Sequence, residues 1–241
     1  MPSTTEIPLT LQSTVGEIVA ARPALAPLFE KLGIDYCCGG KQTLSAACAK
    51  RGLGAESTFA LIVSGCAELA AGPAEVDAAA MGQTELADHI VATHHAYLKT
   101  ELPRLVEMAE RVAIKHSWRD GRLVELAATV NALAAEMLAH MQKEEMILFP
   151  LVRQIDAGTS RGLDGCGLAG PIQQMEAEHE SAGELTTRLR ALTDGFTPDG
   201  EACNTHRALL AGLAGFESDL HRHVHKENNV LFPRALAAAR C

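Results

Sequence analysis

Apolar positions recur at alternating intervals of three and four along four long stretches, which predicts four amphipathic helices with one face each turned into a shared core. The first stripe is Val91, His95, Leu98, Leu102, Leu105 and Met108. The second is Leu126, Val130, Leu133, Met137, His140, Glu144 and Ile147. The third is Ile172, Met175, His179, Ala182, Thr186 and Leu189, and the fourth Leu209, Leu213, Phe216, Leu220, His223, Glu227 and Val230. Breakers bound the helices at about 85–115, with Pro103 bending the first, then about 119–149, from Pro171 to about 193, and about 202–232, where Pro233 interrupts the last. A Gly-rich loop, 157–170, joins the second to the third. The expected fold is all-α: an up-down four-helix bundle over 82–241, preceded by a small helical domain over 1–76.

The ionisable residues on those stripes carry the chemistry. His140 and Glu144 are followed by Leu148-Phe149-Pro150, and His223 and Glu227 by Leu231-Phe232-Pro233, so the pattern His-x-x-x-Glu-x-x-x-Leu-Phe-Pro is written twice. Residues four apart share a helix face, about 6 Å apart along the axis at ~1.5 Å per residue. Charge on an apolar seam costs several kcal/mol unless it is paired, neutralised or bound to a metal. His95 and His179 add one inward imidazole from each remaining helix, at similar distances from the connecting turns, so all four histidines are expected at one height in the bundle. His94, next to His95, is the rival ligand; residues about 100° apart cannot both face the centre of an α-helix, and Val91, Leu98 and Leu102 favour His95. His221 and His225 are expected in solvent, and His116 and His206 have no partner in register.

Four imidazoles and two carboxylates without a thiolate make a nitrogen and oxygen site. This donor set favours two non-haem iron ions sharing Glu144 and Glu227 as bridges, each with two histidines and with an oxo or hydroxo bridge between them, over manganese or zinc. Glu136 and Asp219, one turn before His140 and His223, and Glu178, beside His179, are placed to orient imidazoles or relay protons.

The N-terminal stretch has its own signals. Thr14-x-x-Glu17 is a capping box for a short helix, Pro23 suits the first turn of a second, Gly33 ends it, Thr43 caps a third to about 51, and a fourth covers about 57–71 before a linker at 72–83. Between the second and third lie Cys37 and Cys38, next to Gly39, Gly40 and Lys41, where a helix dipole and a cation would lower a thiol pKa. These two cysteines are the candidate reactive thiols; Cys48, Cys66, Cys166, Cys203 and Cys241 are scattered. A net charge of −9 without a Lys/Arg cluster speaks against nucleic acid or an anionic membrane as partner. The absence of a signal-peptide pattern at the start and an odd number of cysteines, seven, suit a soluble cytoplasmic protein.

With these residues in hand, the chain resembles the repair-of-iron-centres family of di-iron iron-sulfur cluster repair proteins. The bundle residues His95, His140, Glu144, His179, His223 and Glu227 look like a hemerythrin-like cation-binding bundle, and Asp35-Tyr36-Cys37-Cys38-Gly39-Gly40-Lys41 resembles that family's N-terminal domain. The resemblance implies a stress protein that restores iron-sulfur clusters damaged by nitric oxide or peroxide, with damaged iron-sulfur proteins as partners, and functional contributions from Cys37, Cys38, Glu136 and Glu178. Iron delivery with thiol participation is the expected route. The alternative is a di-iron enzyme or sensor that binds and reduces NO, or binds O₂. A homodimer is compatible with either.

Overall fold

The computed structural model describes residues 9–69, 76–159 and 166–239. The chain's first residues, part of the expected linker, the middle of the Gly-rich loop, and the side chains of Cys66, Cys166 and Cys241 lie outside the described residues. Contacts divide the chain into two units: 1–82 with 224–234, and 83–223 with 235–241.

In the first unit, α1 (Val15–Ala21) starts with the capping box read from the sequence, Thr14 and Glu17 each bonding the other's backbone N–H. A 3-10 turn, Pro23–Leu25, leads into α2 (Ala26–Leu32), which Gly33 ends at φ 66°. Next come α3 (Leu44–Arg51), capped by Thr43, and α4 (Ala55–Leu69). Their core holds Val15, Ile18, Leu25, Phe29, Tyr36, Leu44, Cys48 and Ile62. The loop between α2 and α3 is zipped to the start of α1: Gly16 N donates to Gly40 O at 2.9 Å, Val15 N to Gln42 O at 2.9 Å, and Leu44 N to Ser13 O at 2.9 Å.

The expected bundle takes up the second unit together with residues 224–234, which group with the first. Its helices are α5 (Gln83–Ile90) and α6 (Ala96–His116), α7 (Arg122–Lys143) and α8 (Phe149–Asp156), α9 (Cys166–Leu192), and α10 (Asn204–Lys226), which continues into α11 (Phe232–Ala238). Leu98, Leu102, Leu105, Leu126, Val130, Leu133, Met137, Ile172, Met175, Leu189, Leu209, Leu213, Phe216 and Leu220 are all buried, as their stripes require. The uninterrupted stretch Arg122–Asp156 is long and apolar enough by composition to cross a membrane, with mean hydropathy 1.2, but half of that window is buried inside the protein. It is the core helix of the bundle.

Three helices differ from the expected uniform pitch. Single π turns occupy Val91–His95, Glu144–Leu148 and Glu227–Leu231, hereafter π1, π2 and π3. The Leu-Phe-Pro signature accounts for two of them. A proline clashes with the carbonyl four residues back and offers no N–H to it, and for Pro150 and Pro233 that carbonyl belongs to Met146 and Asn229, inside the wider turn. The prolines therefore do not end their helices, as expected from sequence; the helices run on to Asp156 and Ala238. The extra residue also shifts the register, so Ile147 is 54 % exposed while Leu148 and Phe149 are buried. The third helix begins at Cys166, before Pro171, rather than at that proline.

His225, expected in solvent, is buried within the first unit: its Nδ1 donates to Tyr36 O at 3.2 Å and its ring meets that of Tyr36 edge-on at 5.4 Å. Burial pushes its pKa down to about 4, against a smaller upward effect of the Tyr36 carbonyl. In the unfolded chain it titrates near ~6.5. The fold thus disfavours the charged form, so this contribution is complete above pH ~6.5 and is lost as pH falls towards 4, on the order of 3 kcal/mol in all. His225→Gln, neutral throughout, is expected to flatten that dependence; hydrogen-exchange protection of the α1 and α3 amides, compared at neutral pH and pH ~5, reads it.

Candidate metal centre

π1 brings His95 inward, His140 lies in the last turn of α7 and π2 starts with Glu144. His179 comes from mid-α9, His223 from the last turn of α10, and Glu227 opens π3 on the same continuous helix. All six are between 0 and 1 % exposed. Their ligand-type atoms form two groups, His95, Glu144, His223 and Glu227, and His140, Glu144, His179 and Glu227, each within 4.8 Å of one another. His95 Nε2 lies 3.2 Å from His223 Nε2, and His179 Nε2 lies 2.9 Å from His140 Nε2. Glu144 Oε2 stands 3.3 Å from both His95 Nε2 and His140 Nε2, equidistant between the groups.

The far side of two rings shows which nitrogen faces inward. His95 Nδ1 is 2.8 Å from the Glu145 carboxylate, and His140 Nδ1 is 2.9 Å from that of Glu178. A carboxylate only accepts, so each Nδ1 carries the proton and, in the neutral ring, Nε2 turns a lone pair inward. Lone pairs directed at one another at about 3 Å across two buried carboxylates fit cations between them, because positive charge offsets both the repulsion and the burial of the carboxylates. The donor set, imidazole and carboxylate without sulfur, suits iron, manganese or zinc.

The supporting carboxylates are themselves held. Burial alone would raise the Glu178 carboxyl, but hydrogen bonds from Lys143, Gln174 and His140 outweigh it and hold it down at about 2. Burial likewise raises Glu145, and Lys99, at 2.7 Å, and His95 turn the balance downward. Both remain ionised anchors for their imidazoles at neutral pH. Glu178→Gln is expected to weaken metal binding at the His140 group about 10- to 100-fold, the usual effect of losing such an anchor, as read by competition with a chelator.

The structure redistributes the expected supporting roles. Glu178 does orient an imidazole, but that of His140 across the helix pair and not that of its neighbour His179. Glu145, not singled out in the sequence, does the same for His95. Glu136 is not brought to His140; it is exposed and accepts from Ser181 Oγ at 2.9 Å. Asp219 reaches His94 Nδ1 at 2.9 Å, and the His94 ring lies parallel to His223 at 5.3 Å. The π turn lets both neighbours be buried, His94 at 4 % and His95 at 0 %, where a regular α pitch would have turned one outward. His95 joins the convergent group and His94 flanks it.

Cys37 and Cys38 belong to the first unit. Cys37 is buried and Cys38 half-buried. The Cys37 thiol donates to Asp35 Oδ1 at 3.2 Å, and its backbone N–H donates to the same oxygen at 3.0 Å. Hydrogen bonding with Cys38, then burial and the charge of Asp35, push the Cys37 thiol pKa well up, the reverse of the lowering expected from a helix start and Lys41. The neighbouring Cys38 thiol, burial and the Asp35 carboxylate together outweigh the dipole.

The chain is similar to known proteins over most of its length. Residues 86–235 match the hemerythrin HHE cation binding domain, and residues 11–62 match a domain of unknown function. "Iron-sulfur cluster repair protein YtfE" of Musicola paradisiaca is 40% identical over 226 residues, 93% of this chain and 96% of that protein. The proteins of the same name from Citrobacter koseri and Escherichia coli O157:H7 are each 40% identical over 223 residues, 92% of this chain and 96% of theirs. The chain belongs to the iron-sulfur cluster repair family. In this member of the family, all six positions of the doubled His-Glu pattern and its two lone histidines fall on the convergent groups, within the hemerythrin-type match.

Proposed function

We propose that this protein repairs iron-sulfur clusters damaged by nitrosative or oxidative stress, delivering iron from a di-iron centre in its bundle. His95 and His223 would hold one iron and His140 and His179 the other, with Glu144 and Glu227 common to both groups. Bound there, a pair of irons would supply redox activity and exchangeable metal. The chain's own contribution is positional: Glu145 and Glu178 fix the two imidazoles, and burial keeps water from the carboxylates. The observation that carries the reading is the convergence of two histidine pairs on the shared Glu144.

In this reading residues 1–76 act as a module that engages the acceptor through Cys37 and Cys38, and 82–241 as the iron-bearing module. The partners are damaged iron-sulfur proteins, NO and O₂ are small ligands of the irons, and the setting is the cytoplasm. The name shared by the relatives favours repair over NO reduction as the main activity. The test loads the protein anaerobically with isotopically labelled iron and mixes it with a nitrosylated iron-sulfur protein. Labelled iron in the restored cluster is expected; a cluster rebuilt only from unlabelled iron in solution would overturn the proposal.

A further inference from the structure

The loop that carries the two cysteines is built more rigidly than a loop of its length requires. The Tyr36 carbonyl accepts from His225 Nδ1 at 3.2 Å and from Asn229 Nδ2 at 3.3 Å, and the Cys37 carbonyl accepts from Asn229 Nδ2 at 3.0 Å. Asn229 fits there because two residues facing it lack side chains. A Cβ on Gly40 would come within 2.7 Å of Asn229 Cγ, and one on Gly16 within 2.8 Å of the same atom. A third glycine serves the other end: a Cβ on Gly39 would meet Asp35 O at 2.9 Å and Asp35 Oδ2 at 3.1 Å, so Gly39 lets the Asp35 carboxylate fold back over the loop. All these residues lie in the first unit.

That scaffold presents three donors to one point. A carboxylate oxygen of Asp35 and the sulfurs of Cys37 and Cys38 all lie within 4.8 Å of one another. Asp35 is exposed and Cys38 half-buried, so the point they share is open to solvent, unlike the fully buried groups of the bundle. Adjacent cysteines close a disulfide only through a strained ring, whereas chelation needs no bond between the sulfurs. Two sulfurs and one oxygen suit a borderline or soft cation in tetrahedral coordination, with the fourth position left for solvent or an incoming ligand.

We propose that Asp35, Cys37 and Cys38 form a second cation site, for a thiophilic divalent ion. Resting on the repair reading above, its cargo is iron(II) in transit to an acceptor. Binding one ion displaces the proton that Cys37 shares with Asp35 and the proton of Cys38, so two protons go to solvent and no electron moves. The open fourth position lets a sulfide or thiolate of a damaged cluster take the ion by ligand exchange. Asn229 is a positioning residue here: it holds the backbone of the donors without touching the ion.

Cobalt(II) is the probe, because thiolate-bound cobalt shows a sulfur-to-metal charge-transfer band that nitrogen and oxygen sites lack. It is titrated under reducing, anaerobic conditions into full-length protein already loaded with iron, with iron content followed throughout. The expected result is a charge-transfer band saturating at one added equivalent with the iron retained. The band is expected to vanish in Cys38→Ser, to weaken about tenfold in affinity in Asp35→Asn and Asn229→Ala, and to persist in His140→Ala. Cys38 is half-buried, so its serine variant is expected to fold; unchanged iron content and circular dichroism verify this. Cobalt uptake without the band, or a band unaffected by Cys38→Ser, overturns the site. A normal band with no iron passed to a nitrosylated acceptor retains the site and removes its role in iron transit.

Discussion

Replacing Glu144 by alanine is expected to empty the bundle of metal altogether, whereas His179→Ala is expected to spare the group formed by His95 and His223. Glu144 belongs to both groups and stands at the same 3.3 Å from one histidine of each. Its loss would therefore remove from both groups a donor and a buried negative charge that they share, leaving Glu227 as their one common carboxylate. His179 belongs to a single group. Metal analysis of anaerobically purified protein separates the two outcomes. A thermal readout should follow: a ligand present at ~1,000 times its dissociation constant stabilises the fold by about 4 kcal/mol, and Glu144→Ala forfeits that contribution. With a strong chelator present, the melting difference between native protein and Glu144→Ala is expected to disappear, since the native chain then lacks the same linkage. Full iron retention by the variant would show that the groups hold metal independently of the shared carboxylate.

Gly40→Ala is expected to destabilise the first unit by about 1–3 kcal/mol, the usual cost of overpacking, although most glycine-to-alanine changes at ordinary backbone angles are neutral or stabilising. The new methyl would meet Asn229 Cγ at 2.7 Å and Asn229 Nδ2 at 2.8 Å. Asn229 can retreat only by giving up its bonds to the carbonyls of Tyr36 and Cys37, leaving those groups to find other partners. A double-mutant cycle makes the mechanism testable. In an Asn229→Ala background the cost of Gly40→Ala should largely vanish, giving a coupling of at least about 1 kcal/mol by denaturant unfolding. Additive effects would place the strain elsewhere.

Much of the architecture was legible because helix periodicity is local. The four stripes carried His95, His140, His179 and His223 to the core, and the repeat of His-x-x-x-Glu supplied both carboxylates. What eluded sequence reasoning depended on pitch or on partners in other helices. A constant pitch of about 3.6 residues per turn misplaced Ile147 and forbade the joint burial of His94 and His95, while His225 was put in water because its cover, Tyr36, is distant in sequence. The Leu-Phe-Pro repeat was the available signal for two of the three π turns, since a proline within a continuing helix demands a wider turn before it. Glu145 and Glu178 orient imidazoles across helix pairs, at sequence separations of 50 and 38, so no spacing along one stripe could assign them. The thiol of Cys37 was misjudged for a related reason: the dipole and Lys41 are visible in the sequence, whereas the hydrogen bond with Cys38, the burial and the Asp35 contact that outweigh them depend on how the loop folds.

The three-residue wedge of Gly16, Gly40 and Asn229 has a genealogical consequence. A methyl at either glycine is tolerable only in a lineage that has first shortened residue 229, and a bulkier residue 229 only where both neighbours stay bare. Among descendants of a common ancestor these positions should drift in concert, with Asn retained wherever both glycines are and the trio lost together where the cysteine loop is abandoned.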